Sequence, residues 1–230
     1  PGEVEIVLLV TMGSYVAFAD TIAEVRGSTG EATNKIVEAV QHAIQLERTR
    51  DITKDPGYGI EQLETIAWTS ISTAKSNPAP GLLAIRSLRE LLARWSVEEE
   101  RPMREEEPLP VVYSDGVMAQ LMSAFESLAV VSSESMQHQS FAEVIRTLAT
   151  LFDRLPLPQQ RQTEDLIPRI ISALGDHVLT TQLDDALISL VQALRSAGRH
   201  PLATTVQATR DDLAASLGKL NARGTRAQGR

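Results

Sequence analysis

Residues 47–81 read ERTRDITKDPGYGIEQLETIAWTSISTAKSNPAPG, and this stretch decides the class of fold. Asp55-Pro56 punctuates the start of a helix, because proline at the first helical position lacks only an N–H that would go unpaired there anyway. Ile60, Leu63, Ile66, Ala67 and Ile71 then fall on one face at helical spacing. Asn77-Pro78-Ala79-Pro80-Gly81 stops the helix. An apolar face of this kind needs partners, and the chain on either side supplies them.

Upstream, Ile36, Val37, Val40 and Ile44 predict a helix that runs on to Leu46. Downstream, Leu82, Ile85, Leu88, Leu91, Leu92 and Trp95 form an apolar stripe on a core helix. Residues 98–110, EEERPMREEEPLP, are dense in charge, carry three prolines and show no apolar period, which reads as an exposed linker ending in a short strand at Val111-Val112-Tyr113. After the helix-start signal Ser114-Asp115, three amphipathic helices follow: Val117, Leu121, Phe125 and Leu128; then Phe141 to Phe152; then Leu166 to Leu174. Two more close the pattern, Val178–Leu194 capped by Gly198, and Leu202–Leu220 with Val206, Leu213 and Leu217 inward.

The one β-rich region is residues 3–26, read as two or three short strands: the run from Val4, a turn at Met12-Gly13-Ser14, Tyr15-Val16, and Thr21 to Val25. The expected fold is mainly α, a multi-helix bundle with a small N-terminal β-element. Its expected divisions are a β-element at 1–30, a helical subdomain at 31–97, a linker at 98–113, a helical bundle at 114–222 and a tail at 223–230.

Composition narrows the chemistry. Hydrophobic residues make up 43% of the 230 residues but aromatics only 4%, a balance that suits helix packed on helix. The net charge of −8 argues against broad binding to a phosphate backbone, so no nucleic-acid partner is expected. The chain has no Cys, which removes disulfides, thiolate catalysis and Cys-ligated zinc and favours a cytoplasmic setting. No apolar run approaches the roughly 18 residues that would span a bilayer. Trp68 and Trp95 lie beside apolar stripes and are expected to be wholly or partly buried. The four histidines, His42, His138, His177 and His200, are isolated in sequence and are expected on the surface or at helix caps. With no metal-binding spacing among them, no phosphate loop and no nucleophile elbow, no cofactor, metal or catalytic role is expected.

The Glu47–Gly81 block resembles the predicted membrane proteins of the DUF2254 family. The likeness rests on Arg48-Thr49, on Asp55-Pro56-Gly57-Tyr58-Gly59-Ile60-Glu61-Gln62-Leu63, on Ile66-Ala67, and on Ser72-Thr73-Ala74 with Pro78. Gly13-Ser14-Tyr15-Val16 with Ile22 and Val25 adds to it, and Lys54, Thr65 and Thr69 depart from it. The resemblance implies transmembrane helices elsewhere in the whole protein, which would be this region's partner. It carries no assigned chemistry. The chain begins at Pro1, as a piece of a longer protein would.

Arg48 and Arg50 at the end of one helix, with Asp55, Tyr58, Glu61 and Gln62 at the start of the next, form a candidate site, extended by Ser72 and Asn77 at the far end. One reading is structural: a carboxylate satisfies orphan N–H groups, and glycines let the chain turn. The other is a polar pocket, or a contact with a neighbouring subunit, holding Arg48, Asp55, Tyr58, Gln62, Ser72 and Asn77. Two functions are therefore expected as alternatives. The first is an extramembrane module, homo-oligomeric, for assembly, sensing or gating. The second is a domain that binds a small ligand or hydrolyses one, the ligand itself not being legible.

Overall fold

A computed structural model of the protein describes residues 4–27, 31–72, 77–99, 110–114, 116–175 and 177–216. The expected tail, most of the 98–113 linker, Thr73-Ala74, Asp115 and Leu217 lie outside them. Among the described residues there are eight α-helices and one three-stranded sheet, so the mainly α expectation holds. The chain divides into two compact units, Pro1–Gly59 with Pro102–Gln120, and Ile60–Arg101 with Leu121–Arg230.

The first unit carries the sheet. Strand β1 (Glu5–Leu8) pairs antiparallel with β2 (Ala23–Arg26) and parallel with β3 (Val111–Val112), giving the order β2-β1-β3. The parallel pair joins residues about a hundred positions apart in sequence, with Ile6 opposite Val111. Helix α1 (Glu31–Ala43) packs on β2. It ends before Ile44 and Leu46, and Leu46 is exposed, so the predicted continuation does not form.

Tyr15-Val16 is not a strand. The residues between β1 and β2 turn through Gly13 (φ +79°) and Ala19 (φ +69°), which interrupts any ladder. Asp20 Oδ2 accepts the Ala17 N–H at 2.7 Å. Tyr15 is 91% exposed and Phe18 is fully exposed.

The second unit contains most of α2 (Pro56–Ser72), all of α3 (Ala79–Glu99), most of α4 (Val117–Glu134), α5 (His138–Leu151), a 3-10 turn (Phe152–Arg154), α6 (Leu157–Ser172), α7 (Thr181–Ser196) and α8 (His200–Ser216). Helix α5 packs on α3 and α7, and α8 packs on α6 and α7. The inward residues expected of these helices, from Leu121 and Phe125 through Phe141, Leu148, Leu187 and Leu190 to Val206 and Leu213, are buried. Gly81 in α3 comes close to α2; a Cβ there would lie 3.1 Å from Ile71 Cγ1 and 3.4 Å from the Ala67 carbonyl.

Helix ends are closed locally. Gly198 (φ +74°) ends α7 as expected, with Arg199 N–H donating to Leu194 O at 2.7 Å and Gly198 N–H to Arg195 O at 3.0 Å. The same paired bonds end α4 around Met136, which holds φ +54° without being glycine. Trp68 is 49% exposed, half-buried as the partly buried expectation allows, whereas Ile66 and Leu91, expected on inward faces, face outward. Apolar residues at adjacent positions cannot all share one face of a helix, and Ala67 and Leu92 take the inner places.

Candidate functional site

Asp55 stands where the sequence placed it, immediately before α2, and is 5% exposed. The preceding turn is built by Asp51, whose Oδ1 accepts both the N–H and the hydroxyl of Thr53 at 2.9 and 2.8 Å. Asp51 O accepts the Lys54 and Asp55 N–H groups at 3.0 and 2.9 Å. The chain thereby reverses and delivers Asp55 to the helix start.

There Asp55 acts as a cap. Its Oδ1 accepts the Tyr58 N–H at 3.1 Å, satisfying one of the unpaired donors of the first turn. Its Oδ2 accepts Arg50 Nε at 2.6 Å. The Arg50 guanidinium lies 5.0 Å from the centre of the Tyr58 ring, so one cation joins a carboxylate and an aromatic face. The Arg50 hydrogen bond holds the Asp55 carboxyl below the usual carboxylate range; burial opposes that shift, and the Tyr58 and Gly57 N–H groups and the Arg50 charge reinforce it.

Two further residues complete this clasp. Gly13 presses its backbone on the ion pair: a Cβ there would fall on Asp55 Oδ2 and within 2.7 Å of Arg50 Nη2. Gln120 Nε2 donates to Gly57 O at 3.0 Å, and a Cβ on Gly57 would come within 2.6 Å of Gln120 Oε1. Gly13 was legible as a turn and as part of the family likeness but not as a neighbour of Asp55, and Gln120 carried no signal, because its position in α4 comes beside Gly57 only in the folded chain. Tyr113 also reaches back, its hydroxyl 3.4 Å from Met12 N.

The remaining candidates are not gathered here. Arg48 is exposed on the chain between α1 and α2, and Arg50 makes the ion pair. Gln62 is exposed along α2. Ser72 is the last residue of α2 and donates to Thr69 O at 3.4 Å; a 17-residue helix, about 25 Å long, therefore separates it from Asp55. Asn77 Oδ1 accepts the Ala79 N–H at 3.0 Å at the start of α3. Both ends of the block thus act at helix termini.

Chemically, the clasp holds an ionised carboxylate tied to fixed donors. A general base must exchange a proton near working pH, and the donors around Asp55 oppose that. No group of three or more His, Asp or Glu side chains among the described residues could hold a metal ion.

The buried His177 departs from the expectation that the histidines lie on the surface or at helix caps. His138 and His177, thirty-nine positions apart, meet with Nδ1 atoms 3.0 Å apart, and His177 is 2% exposed. His177 Nε2 is 3.2 Å from Ser133 Oγ, which in turn donates to Ala173 O at 2.9 Å. Burial lowers the His138 pKa.

Residues 1–149 match the family described as "Predicted membrane protein (DUF2254)". No curated protein and no solved structure matches the chain.

Proposed function

The chain belongs to the DUF2254 family of predicted membrane proteins, and from that premise we propose that the described residues form an extramembrane module of an integral membrane protein. Its role is to assemble with, and pass conformational state to, the membrane-embedded segments of its own protein; assembly, sensing and gating are forms of this one role. The observation that carries the reading is the exterior of the helical unit. Arg169 bonds Glu126 at 2.7 Å on exposed side chains, and Arg199 bonds Glu164 at 2.6 Å on partly exposed ones. In hydrocarbon each such charge costs about 3 kcal/mol or more, whereas water solvates it. Among the described residues no helix is long and apolar enough to cross a membrane.

The test is detergent phase separation of the purified chain, with light scattering of the same sample. The expected result is partition into the aqueous phase as a defined homo-oligomer, the form in which an assembly module would be symmetric about a membrane axis. Partition into the detergent phase would overturn the extramembrane reading. A strict monomer at every concentration would overturn self-assembly and leave coupling to the membrane segments as the role.

A further inference from the structure

The helical unit holds a second charged constellation. Arg86 and Arg89, three positions apart on α3, share one helix face, and α5 packed against α3 supplies Glu143 and Arg146. The Glu143 side chain is 6% exposed, and its Oε2 accepts Arg146 Nη1 at 2.6 Å. Its Oε1 lies 3.6 Å from Arg86 Nε and 3.9 Å from Arg89 Nη1, within ion-pair range but beyond hydrogen-bond length. A cavity of about 410 Å³ opens at this point, lined also by Thr150 and by Arg154 of the 3-10 turn.

The charges here do not balance. Arg146 already answers the buried carboxylate, and Glu90, the other acid at the cavity, is bonded by Arg94 at 2.8 Å. Arg86, Arg89 and Arg154 therefore bring positive charge in excess, in a chain whose net charge is −8. Glu143, already bonded to Arg146, answers Arg86 and Arg89 only at ion-pair distance, so a further anion in the cavity would be attracted by the remaining positive charge. Their planar N–H pairs match the oxygens of phosphate or carboxylate. Three guanidiniums offer more donors than the two oxygens of a carboxylate can accept, and a phosphoryl group presents three. The volume falls within the range of small-molecule sites.

We propose that this cavity binds a phosphoryl group through Arg86, Arg89 and Arg154, with buried Glu143 holding Arg146 aside and orienting the other two. The phosphoryl group comes from a soluble phosphate compound or from a lipid headgroup. The site is independent of the membrane reading.

The purified chain is titrated with inorganic pyrophosphate by calorimetry, and sedimented with phosphatidylcholine vesicles containing phosphatidic acid. Saturable binding to at least one probe is expected, weakened tenfold or more in the double variant R86Q/R154Q and unchanged in R169Q. Arg86 and Arg154 are exposed, so the double variant retains its fold, checked by an unchanged melting temperature. Pyrophosphate binding alone identifies a soluble ligand, and vesicle binding alone a headgroup. The proposal is overturned if neither probe saturates, if R86Q/R154Q binds as the parent does, or if R169Q loses as much affinity.

Discussion

In the helical unit, Phe141, Leu148 and Leu187 have no exposure at all; the first two lie on α5, which packs on α3 and α7, and the third on α7, which packs on α5 and α8. In the sheet-bearing unit Met118 is the one buried apolar side chain among the described residues, and the most deeply set charged group is Asp55. The first arrangement rests on many non-directional contacts, each replaceable in part by its neighbours. The second rests on a few directional ones: a short sheet, the Asp55–Arg50 pair, the Gln120–Gly57 bond and the close approach of Gly13. Loss of one such contact removes a large share of what holds its surroundings, so the sheet-bearing unit is expected to open locally before the helical unit unfolds.

The comparison is sharpest where the core is densest. Leu187→Ala is expected to destabilise the helical unit by about 4 kcal/mol, since the close packing of α5 on α7 leaves the site little room to collapse. The midpoint of urea unfolding followed by circular dichroism measures this, and a shift equivalent to less than about 1 kcal/mol would mean the core is not what holds the helices together.

Gly13→Ala comes next, at about 3 kcal/mol, from a left-handed φ and a methyl group driven into the Asp55–Arg50 pair. Hydrogen exchange should show the loss at amides of β1, β2 and Tyr58, while α5 and α7 keep their protection. Equal loss in α5 and α7 would break the distinction between the units.

Acid separates them by pH. Both the His138 and the Asp55 pKa values are lowered in the fold, so each group binds its proton more readily when unfolded. The His138 contribution is complete above about pH 6.5 and is lost as pH falls through its lowered value. The Asp55 contribution is complete above about pH 4 and is lost below that, as pH falls through its own lowered value. Amide exchange near the His138–His177 pair should therefore accelerate at higher pH than exchange near Tyr58. Asp55→Asn should abolish the lower step alone.

The smallest effect runs the other way. Met136→Gly should stabilise the end of α4 by about 1 kcal/mol, because glycine adopts the positive φ that methionine holds under strain. A thermal melt of the two proteins checks this, and a lower melting temperature would show that the half-exposed Met136 side chain contributes more by packing than its backbone loses.

Much of this was legible along the chain. Helical spacing located the helices, Asp55-Pro56 marked the start of α2, and Gly198 marked the end of α7, because these signals act over a few residues through local sterics and hydrogen bonding. The capping role of Asp55 was legible for the same reason. Arg48 was the arginine expected in the pocket, yet Arg50 makes the ion pair, since nothing local says which of two neighbouring arginines the turn will aim at the carboxylate. Tyr15-Val16 looked like a strand, yet a strand also needs a partner at the right register, and Gly13 and Ala19 turn the chain away from one.

Alone, then, the sequence determined a mainly α protein with a small sheet, the start of α2, the end of α7 and the place of its capping aspartate, because periodicity and capping are properties of neighbouring residues. Tertiary structure alone decided that β3 lies beside β1, that His138 meets His177, that Gln120 reaches Gly57, and that Arg86 and Arg89 face Glu143. In each case the partners are separated by tens of residues. Their meeting depends on how whole elements pack, a free energy summed over many weak contacts that no single motif records.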